Sequence, residues 1–446
     1  MKICVIGAGT SSVSLLTTLL ENGYTGEIDV YDRGNPPEKR KKDEVLHGFG
    51  GAGTYSDGKL SLSPEIGGEL DDYIQNMNFE LYAKKAIGIW TKGLAVEDYE
   101  KTENCSELWE IKKRFLQNNM NLILSDFIHL GTDNLQTVIK ELYEFIKKHD
   151  NIHFYFNSEV KTVSKDGLIR FETNDGIVQE RKYDKIIVAT GRTGSPLLNL
   201  ILENSNSDYV SNYVDIGIRF ELPEIITREL TDKLYEFKVE YYTSHNDRVR
   251  TFCVNPGGYV VEEKEKGYSL VNGHSYSKIK SANTNYAILV TQRFTEPFKD
   301  AFEYARMIAQ LANKLAGNNS ILMQRFKDFK EGRRTTPRKI SKIFLKPTLE
   351  ATPGDLNLVF PRRTAENIEE FIEQLDKIVP GTANWDNLLY GVEAKFYSTK
   401  PKFDDYFKLP QADIWVIGDS SGYTRGIIQA SISGIYLAET ILKKIS

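Results

Sequence analysis

The first 32 residues decide the fold of this chain. Residues 2–9 read KICVIGAG, and residues 27–32 read EIDVYD. The first stretch is a short apolar strand that ends in a Gly-x-Gly turn, and a helical stretch through Leu20 separates it from a second strand that ends on an acid. A strand, a glycine-rich turn, a helix and a strand in this order open a βαβ nucleotide-binding unit.

The Gly-x-Gly turn predicts a binding site for a pyrophosphate. Glycines at a strand-to-helix turn let backbone N–H groups and the helix N-terminus approach a phosphate without a Cβ in between. Ser12 replaces the third glycine of the usual motif and is small enough for close packing of helix and strand. The predicted ligands at this turn are Gly7, Gly9, Thr10 and Ser11.

The acid that ends the second strand predicts the ribose site. A carboxylate at this position accepts hydrogen bonds from ribose hydroxyls and disfavours a 2′-phosphate, so FAD or NAD fits better than NADP. Asp32 and the adjacent Arg33 are therefore candidate cofactor-binding residues.

Two later strands that run into glycine turns favour a flavin over a nicotinamide as the bound nucleotide. Residues 185–191 read KIIVATG, and residues 413–419 read DIWVIGD and precede a helix that begins near residue 426. We expect the N-terminus of that helix to point at the flavin pyrimidine edge, where negative charge collects on reduction. The candidate residues here are Ala189, Thr190, Gly191, Gly418, Asp419, Gly426, Ile427 and Ile428, with Val160 on an intervening strand.

A second glycine cluster follows the opening unit, where residues 48–60 read GFGGAGTYSDGKL. We expect positive φ angles at Gly50, Gly51, Gly53 and Gly58, with close approach to a planar ring. Lys59 is a candidate catalytic cation, because a positive charge near flavin N1 or N5 favours the reduced anion; a structural pairing with Asp57 is an equal alternative. The further cofactor candidates are Gly50, Gly51, Ala52, Gly53, Thr54, Ser56 and Lys59.

This glycine cluster resembles the signature of a family of bacterial FAD-dependent dehydrogenases (NAD(P)/FAD-dependent oxidoreductases). The stretches NPGGYV at 255–260, VNGHSY at 271–276 and GVEAK at 391–395 are also similar to that family. A more distant resemblance is to electron-transfer-flavoprotein dehydrogenases and geranylgeranyl-reductase-like flavoproteins. The resemblance spans most of the chain and implies bound FAD without identifying a substrate. Ser12 and Phe49 depart from it, since a polar residue is expected in place of Phe49.

Several other polar residues are candidates for a role at the site. His274 is the acid–base candidate because its ordinary pKa is near neutral, although a histidine without a catalytic role is the more common case. His47 is a conceivable point of covalent flavin attachment. The basic stretch at 333–339 is typical of a solvated loop but can also bind a substrate carboxylate or phosphate. Arg425, directly before the last helix, is a stronger functional candidate than that stretch.

Composition limits the class of protein. The chain has 446 residues, 40% hydrophobic residues, a formal charge of −5 and three cysteines, which lie far apart. These values predict a globular protein of two or three domains without a metal site, a CxxC pair, a membrane span or a nucleic-acid-binding face. With the first strand beginning almost at residue 1, we expect no leader peptide and a cytoplasmic location.

The predicted fold class is α/β: a discontinuous Rossmann-type FAD-binding domain, glutathione-reductase-like with two dinucleotide motifs, and an inserted α+β substrate domain. The predicted segments are 1–60, 126–213 and 387–446 for the FAD-binding domain, 61–125 for a helical insertion and 214–386 for the substrate domain. We expect the flavin to lie where these two domains meet.

The predicted activity is that of an FAD-dependent oxidoreductase that moves a hydride between flavin N5 and a C–C or C–N bond of a small organic substrate. The electron partner would be NAD(P)H or an electron-transfer protein, since the middle of the chain carries neither the GxGxxG motif of a separate NAD(P)H-binding domain nor a cysteine cluster. Two alternatives stay open: a flavin-dependent monooxygenase or halogenase, and a non-catalytic flavin- or nucleotide-binding redox sensor.

Overall fold

The protein is described by a computed structural model that covers residues 2–40, 46–55, 58–74, 77–95, 100–102, 106–124, 126–210, 212–234, 236–265, 267–276, 279–298, 300–317 and 321–443. The chain forms two compact units. The first comprises Met1–Glu103, Ser125–Asn212 and Tyr397–Ser446, and the second comprises Asn104–Leu124 and Tyr213–Phe396. Among the described helices, none is both long and apolar enough to cross a membrane.

The first unit is a mixed α/β structure. Its helices are α1 (Thr10–Glu21), α2 (Leu70–Tyr73), α3 (Phe79–Trp90), α5 (Thr132–Lys147), α6 (Ser195–Asn204) and α12 (Gly426–Lys443). Its strands are β1 (Lys2–Ile6), β2 (Glu27–Tyr31), β3 (Lys59–Ser61), β4 (Glu100–Thr102), β6 (Phe127–His129), β7 (Ile152–Tyr155), β8 (Ser158–Val163), β9 (Leu168–Thr173), β10 (Val178–Lys182), β11 (Lys185–Val188), β12 (Tyr209–Val210), β22 (Lys400–Pro401) and β23 (Ile414–Val416).

A five-stranded parallel sheet in the order β23-β11-β1-β2-β7 organises this unit. Successive side chains of β1 point to opposite faces, as strand geometry requires. Ile3 and Val5 enter the core formed with α1, α5 and α12, whereas Cys4 and Ile6 enter a second core shared with α6 and the sheet β10-β9-β8. Both faces are therefore covered, which explains why the strand is apolar throughout.

The first and last helices of this unit, α1 and α12, are far apart in the sequence but lie in close contact. A Cβ added at Gly434 of α12 would collide with the backbone oxygen of Ser11 in α1. The small residues of α12 therefore allow the first and last helices of the chain to approach each other, which brings the two ends of the sequence into one unit.

The second unit contains α4 (Ser106–Gln117), α7 (Glu224–Leu234), α8 (Ala301–Ala316), α9 (Phe326–Lys330), α10 (Pro337–Ile340) and α11 (Arg362–Asp376). Its strands are β5 (Met120–Ile123), β13 (Val214–Pro223), β14 (Lys238–Tyr242), β15 (Arg248–Asn255), β16 (Tyr259–Glu265), β17 (Tyr268–His274), β18 (Asn283–Gln292), β19 (Leu322–Arg325), β20 (Thr352–Pro353) and β21 (Leu388–Lys395). Eight of them form one sheet in the order β20-β19-β21-β13-β18-β15-β14-β5, and β16 pairs with β17.

The unit boundaries differ from the predicted ones at two places. Residues 387–396 lie in the second unit, because β21 pairs with the central strand β13 along its length. The predicted helical insertion at 61–125 is divided: α2 and α3 lie in the first unit, whereas α4 and β5 lie in the second, where β5 pairs with β14. The insertion also contains the short strand β4, which pairs with β6.

A buried ion pair lies inside the large sheet of the second unit. Arg219 and Glu393 are both fully buried, and the guanidinium donates through Nε and Nη2 to the two carboxylate oxygens at 2.7 and 2.6 Å. Arg219 also donates to the Cys253 carbonyl (2.8 Å) and to Asn272 Oδ1 (3.0 Å). Such a pair contributes net stability only when its remaining donors are satisfied, as most are here.

We expect Glu393→Gln to lower the free energy of unfolding by about 3–5 kcal/mol, because it leaves the buried Arg219 guanidinium and the Lys395 ammonium, 3.1 Å from Glu393 Oε1, without their shared counter-charge. Urea unfolding followed by circular dichroism measures the loss, with Glu180→Gln on the exposed strand β10 as the matched control. The double substitution Arg219→Met and Glu393→Met should be less destabilised than Glu393→Gln alone. A double variant at least as unstable as the single one would contradict this account.

Candidate functional site

Four strand ends of the parallel sheet lie at one level. Ile6, the last residue of β1, is level with Tyr31 of β2 and with Val188 of β11, and Val188 is level with Val416 of β23. All three pairings are parallel, so the turns that follow these four strands leave the same edge of the sheet. The four turns that the sequence analysis singled out are thus brought together, at the edge where open α/β sheets bind ligands.

The strand order reverses between β1 and β11, and Gly7 lies at this reversal. Its φ angle is +100°, and an added Cβ would collide with the backbone oxygen of Ala189. Gly7 therefore serves the packing of two adjacent turns. Gly9 is different, because its φ is −78° and a Cβ there would meet no protein atom closer than the Ala189 oxygen at 4.0 Å. It faces open space in front of the helix.

Helix α1 begins next to this open space. Val13 is the first residue whose N–H donates back to Gly9, at 2.9 Å, so the N–H groups of the three preceding residues have no partner within the helix. These donors and the helix dipole favour an anion. Ser12, in place of the motif's third glycine, is fully buried and donates to the Gly7 carbonyl at 2.5 Å, so the substitution is accommodated without displacing the helix.

Asp32 is nearly buried, and its carboxylate accepts three backbone hydrogen bonds. Oδ2 accepts from Ala8 at 2.8 Å, and Oδ1 accepts from Gly34 and Gly48, each at 2.7 Å. Asp32 therefore connects the first glycine turn to the second glycine cluster. Because a carboxylate has about four acceptor positions, about one is left for a ribose hydroxyl. The adjacent Arg33 is exposed.

The second glycine cluster lies directly against the first turn. Gly50 forms a bridge with Gly9, donating to the Ala8 carbonyl at 2.7 Å, and its own carbonyl accepts from Thr10 Oγ1 at 3.2 Å. Gly50, Gly51 and Gly58 have positive φ angles of 84°, 64° and 70°, as the sequence predicted.

Gly53 differs from that prediction, because its φ is not in the positive region. It is required for space instead: an added Cβ would lie 2.8 Å from Thr10 Oγ1 and 3.2 Å from Ile427 Cγ1. Gly51 to Tyr55, including Ala52 and Thr54, form a short 3-10 turn. Ser56 and Asp57 lie outside the described residues.

Two residues that hold this cluster carried no functional assignment from the sequence. Phe49, the departure from the family pattern, is fully buried and contacts the rings of Tyr143 and Phe154 edge-on, with centroids 5.0 and 5.8 Å away. Arg40 donates through Nη1 to the carbonyls of Phe49 (2.8 Å) and Gly51 (3.1 Å). Arg40 lies in a mixed-charge loop, where no sequence motif indicates that it contacts the glycine cluster.

The turn after β23 places an acid between basic side chains. Gly418 has a φ of +67°, and a Cβ there would collide with Ser11 of α1. Asp419 is partly exposed, with its Oδ2 3.9 Å from Arg192 Nε and its Oδ1 accepting from Thr424 at 3.2 Å. Burial raises the pKa of the Asp419 carboxyl, and the Arg192 and Arg425 guanidiniums act in the opposite direction.

The start of α12 and the turn after β11 also border open space. Gly426 and Gly191 have φ angles of +75° and +63°, and a Cβ at either would meet no atom of the described residues within 4 Å. Thr190 Oγ1 is buried without a hydrogen-bond partner among the described residues. The guanidinium of Arg425 stacks 3.3 Å from the ring centroid of Tyr397. Ile427 and Ile428 are buried in the first turn of α12.

The remaining candidates lie in different surroundings. Lys59 is half-buried in β3, where its backbone pairs with His129. Val160 lies in β8 and is buried in the core that this strand shares with α6. His274 is the last residue of β17 in the second unit; it is exposed, and its ring centroid lies 5.2 Å from that of Tyr276. His47 is partly buried, and its Nδ1 has no hydrogen-bond partner in the described part of the chain.

We expect Asp32→Asn to lower the free energy of unfolding of the flavin-free protein by about 1–3 kcal/mol. An amide –NH₂ in place of one carboxylate oxygen leaves at least one buried N–H of this network without an acceptor. Urea unfolding measures the change, with Asp150→Asn, an exposed acid of the same unit, as the control. Equal stability of the two variants would show that the three hydrogen bonds do not hold the turns together.

Comparison with known proteins gives one family match. Residues 205–396, which make up most of the second unit, match a family described as "FAD-dependent protein, C-terminal domain-like". An uncharacterized protein of Clostridium beijerinckii is 26% identical over an alignment of 476 residues, which covers 99% of this chain and 80% of that protein. The matched domain supports FAD as the cofactor, and with it the class of FAD-dependent oxidoreductases.

Two solved structures are more distantly similar. Pyridoxine 4-oxidase from Mesorbium loti is 11% identical, with a TM-score of 0.45 and coverage of 99% of both chains. A 2-methyl-3-hydroxypyridine-5-carboxylic acid oxygenase is 10% identical, with a TM-score of 0.36, over 99% of this chain and 82% of that chain. At such identities and TM-scores we draw nothing about activity from them, and the functional assignment depends on the geometry of the glycine turns and on the matched FAD-dependent domain.

Proposed function

We propose that this protein is an FAD-dependent oxidoreductase that moves a hydride between flavin N5 and a C–C or C–N bond of a small organic substrate. One observation carries the proposal: four glycine-bearing turns leave the same edge of a parallel sheet, and the space at Gly9 lies before the N–H groups of α1 that have no partner within the helix. A dinucleotide with a central pyrophosphate fits this arrangement of donors and open backbone.

In this proposal the first unit holds FAD as a glutathione-reductase-like domain does. The N–H groups at the start of α1, with Gly9 and Thr10, bind the pyrophosphate. The remaining acceptor position of Asp32 binds a ribose hydroxyl, and Arg33 lies on the adenosine side. The start of α12 and the buried Thr190 hydroxyl, which lacks a partner among the described residues, are donors toward the other half of the cofactor.

Bound FAD would supply two-electron redox chemistry at its N5 position. The surrounding protein residues would stabilise negative charge on the flavin and fix its orientation. Lys59 is half-buried, so its ammonium acts with less screening than at an open surface and stabilises negative charge nearby. The N-terminus of α12 also stabilises negative charge nearby, because the helix dipole is positive at that end. Asp419, held between Arg192 and Thr424, orients the ribityl region. His274 is the proposed proton donor or acceptor for the substrate.

The dehydrogenase form of the proposal draws on the resemblance of residues 48–60 to FAD-dependent dehydrogenases and, more distantly, to electron-transfer-flavoprotein dehydrogenases. The electrons would come from NAD(P)H or pass to an electron-transfer protein. A monooxygenase would use the same cofactor site with oxygen as the second substrate, so the two forms differ in oxygen consumption. A redox sensor would bind the flavin without turnover.

We expect Gly9→Asp to reduce the FAD content of the purified protein by at least about tenfold, a loss of about 1.4 kcal/mol in binding. Aspartate is a favourable N-cap residue, and among the described residues a Cβ at Gly9 meets only the Ala189 oxygen, at the contact distance of 4.0 Å, so the fold should be retained. The new carboxylate would repel the diphosphate. The ratio of absorbance at the flavin and protein bands measures the content.

Gly88→Asp is the matched control for this substitution. Gly88 lies exposed in α3 of the same unit, and an added Cβ there meets no atom within 4 Å. The control should purify with full flavin content. Full content in Gly9→Asp as well, at unchanged circular dichroism, would refute the placement of the pyrophosphate.

The electron donor is tested by an anaerobic absorption spectrum before and after addition of NADH or NADPH. We expect flavin bands that bleach within seconds with one of the two nucleotides if the protein reduces its substrate. Persistent bands would indicate that the electrons come from a protein partner or from a substrate that the enzyme oxidises. Rapid NAD(P)H-dependent oxygen consumption on re-aeration, beyond that of free FAD, would overturn the dehydrogenase form in favour of a monooxygenase.

A further inference from the structure

A cavity of about 460 Å³ in the second unit is unusually basic. It is lined by four cationic side chains, one hydroxyl, one carboxylate and one apolar side chain: Arg325, Arg338, Lys339, Lys342, Thr336, Asp386 and Ile343. We call it the basic cavity. None of these residues belongs to the turns described above, and the proposed oxidoreductase activity does not use them.

The cations at the inner side of the basic cavity are fixed by acids. Asp328 is almost completely buried and accepts from Lys339 Nζ at 2.5 Å and from Thr335 Oγ1 at 2.7 Å. Arg325 is mostly buried, with its Nη2 2.8 Å from Asp386 Oδ1. Arg325 N–H also donates to the Thr335 hydroxyl at 3.0 Å. These bonds hold the two cations in place before any ligand arrives.

The cations at the outer side have no such partners. Arg338 and Lys342 are exposed, and within the described part of the chain their side chains make no hydrogen bond or ion pair. Four positive charges therefore face two negative ones, Asp386 and Asp328, which leaves two positive charges uncompensated. Cations gathered at one concave site repel one another unless an anion is present.

The basic stretch at 333–339 separates into two parts in the structure. Arg333 forms an ion pair with Glu331, and Arg334 is exposed and does not line the cavity. Arg338 and Lys339 do line it, together with Arg325 and Lys342 from outside the stretch. The residues that line the basic cavity come from three separate segments, at 325, 336–343 and 386. A charged loop that is merely solvated would not gather side chains from separate segments, so their arrangement points to a binding site.

We propose that the basic cavity binds the phosphate group of a small phosphorylated ligand. A phosphate dianion would balance the two excess positive charges, and the planar guanidinium of Arg338 can donate two parallel hydrogen bonds to it. Thr336 adds a hydroxyl donor. A single carboxylate would leave one positive charge uncompensated. The volume lies within the range of pockets that hold small molecules rather than lone ions.

Calorimetric titration with inorganic phosphate tests the proposal. The protein is saturated with FAD beforehand, so that phosphate cannot occupy the pyrophosphate position. We expect saturable binding, tightened when glycerol 2-phosphate replaces inorganic phosphate. Arg338→Gln and Lys342→Gln should each raise the Kd by about tenfold, since each removes a charge-assisted hydrogen bond without removing any contact of the fold.

Arg334→Gln is the matched control, because it removes the same charge from the same stretch outside the cavity. It should leave the Kd within about twofold of the wild-type value, and all three variants should keep their flavin content. Three results would overturn the proposal: no saturable binding of either phosphate, equal weakening by Arg334→Gln, or tighter binding of a short single-stranded DNA with the same dependence on Arg338. The last would identify a nucleic-acid surface.

Discussion

The hydrogen-bond register of the parallel sheet is the constraint on which the candidate site depends. Parallel ladders fix Ile6 level with Tyr31 and Val188, and Val188 level with Val416. Because each of these strands ends there, segments as far apart in the chain as Ile6 and Val416 leave the sheet at one edge. A shift of one residue in any of these pairs would turn its buried side chains toward the opposite face and remove its turn from this edge. Core packing therefore positions the turns before any ligand contributes.

The glycines at this edge have two different physical roles that sequence cannot separate. At Gly7 and Gly418 a Cβ would collide with neighbouring protein atoms, so these glycines permit the turns and helices to pack. At Gly9 and Gly426 a Cβ would enter open space. Only the second kind leaves backbone exposed to a ligand. A glycine motif in the sequence does not distinguish the two kinds. Substitution of a glycine of the first kind should impair folding, whereas substitution of one of the second kind should impair cofactor retention.

The parts of the fold that were predictable from sequence are those with local signals. The βαβ opening and the long strands and helices of the second unit follow from apolar periodicity and glycine turns. The short strands of the first unit, such as β4, carry no periodic signal. The contacts of Arg40 and Phe49, and the place of residues 387–396 in the second unit, depend on partners far along the chain, here the glycine cluster, Tyr143 and β13. Such long-range partners cannot be inferred from one sequence.

The stretches of the second unit that resemble flavoproteins have a structural explanation in this protein. Asn272 and Glu393 contact the buried Arg219, and a Cβ at Gly273 would collide with that guanidinium's neighbours, Asn255 and Asn285. A charged pair at the centre of a sheet tolerates little change, since replacing one partner leaves the other uncompensated. In this protein these stretches therefore hold the buried Arg219 charge. The residues that select a substrate should be sought among those the resemblance does not include, where side chains can vary without unfolding the sheet.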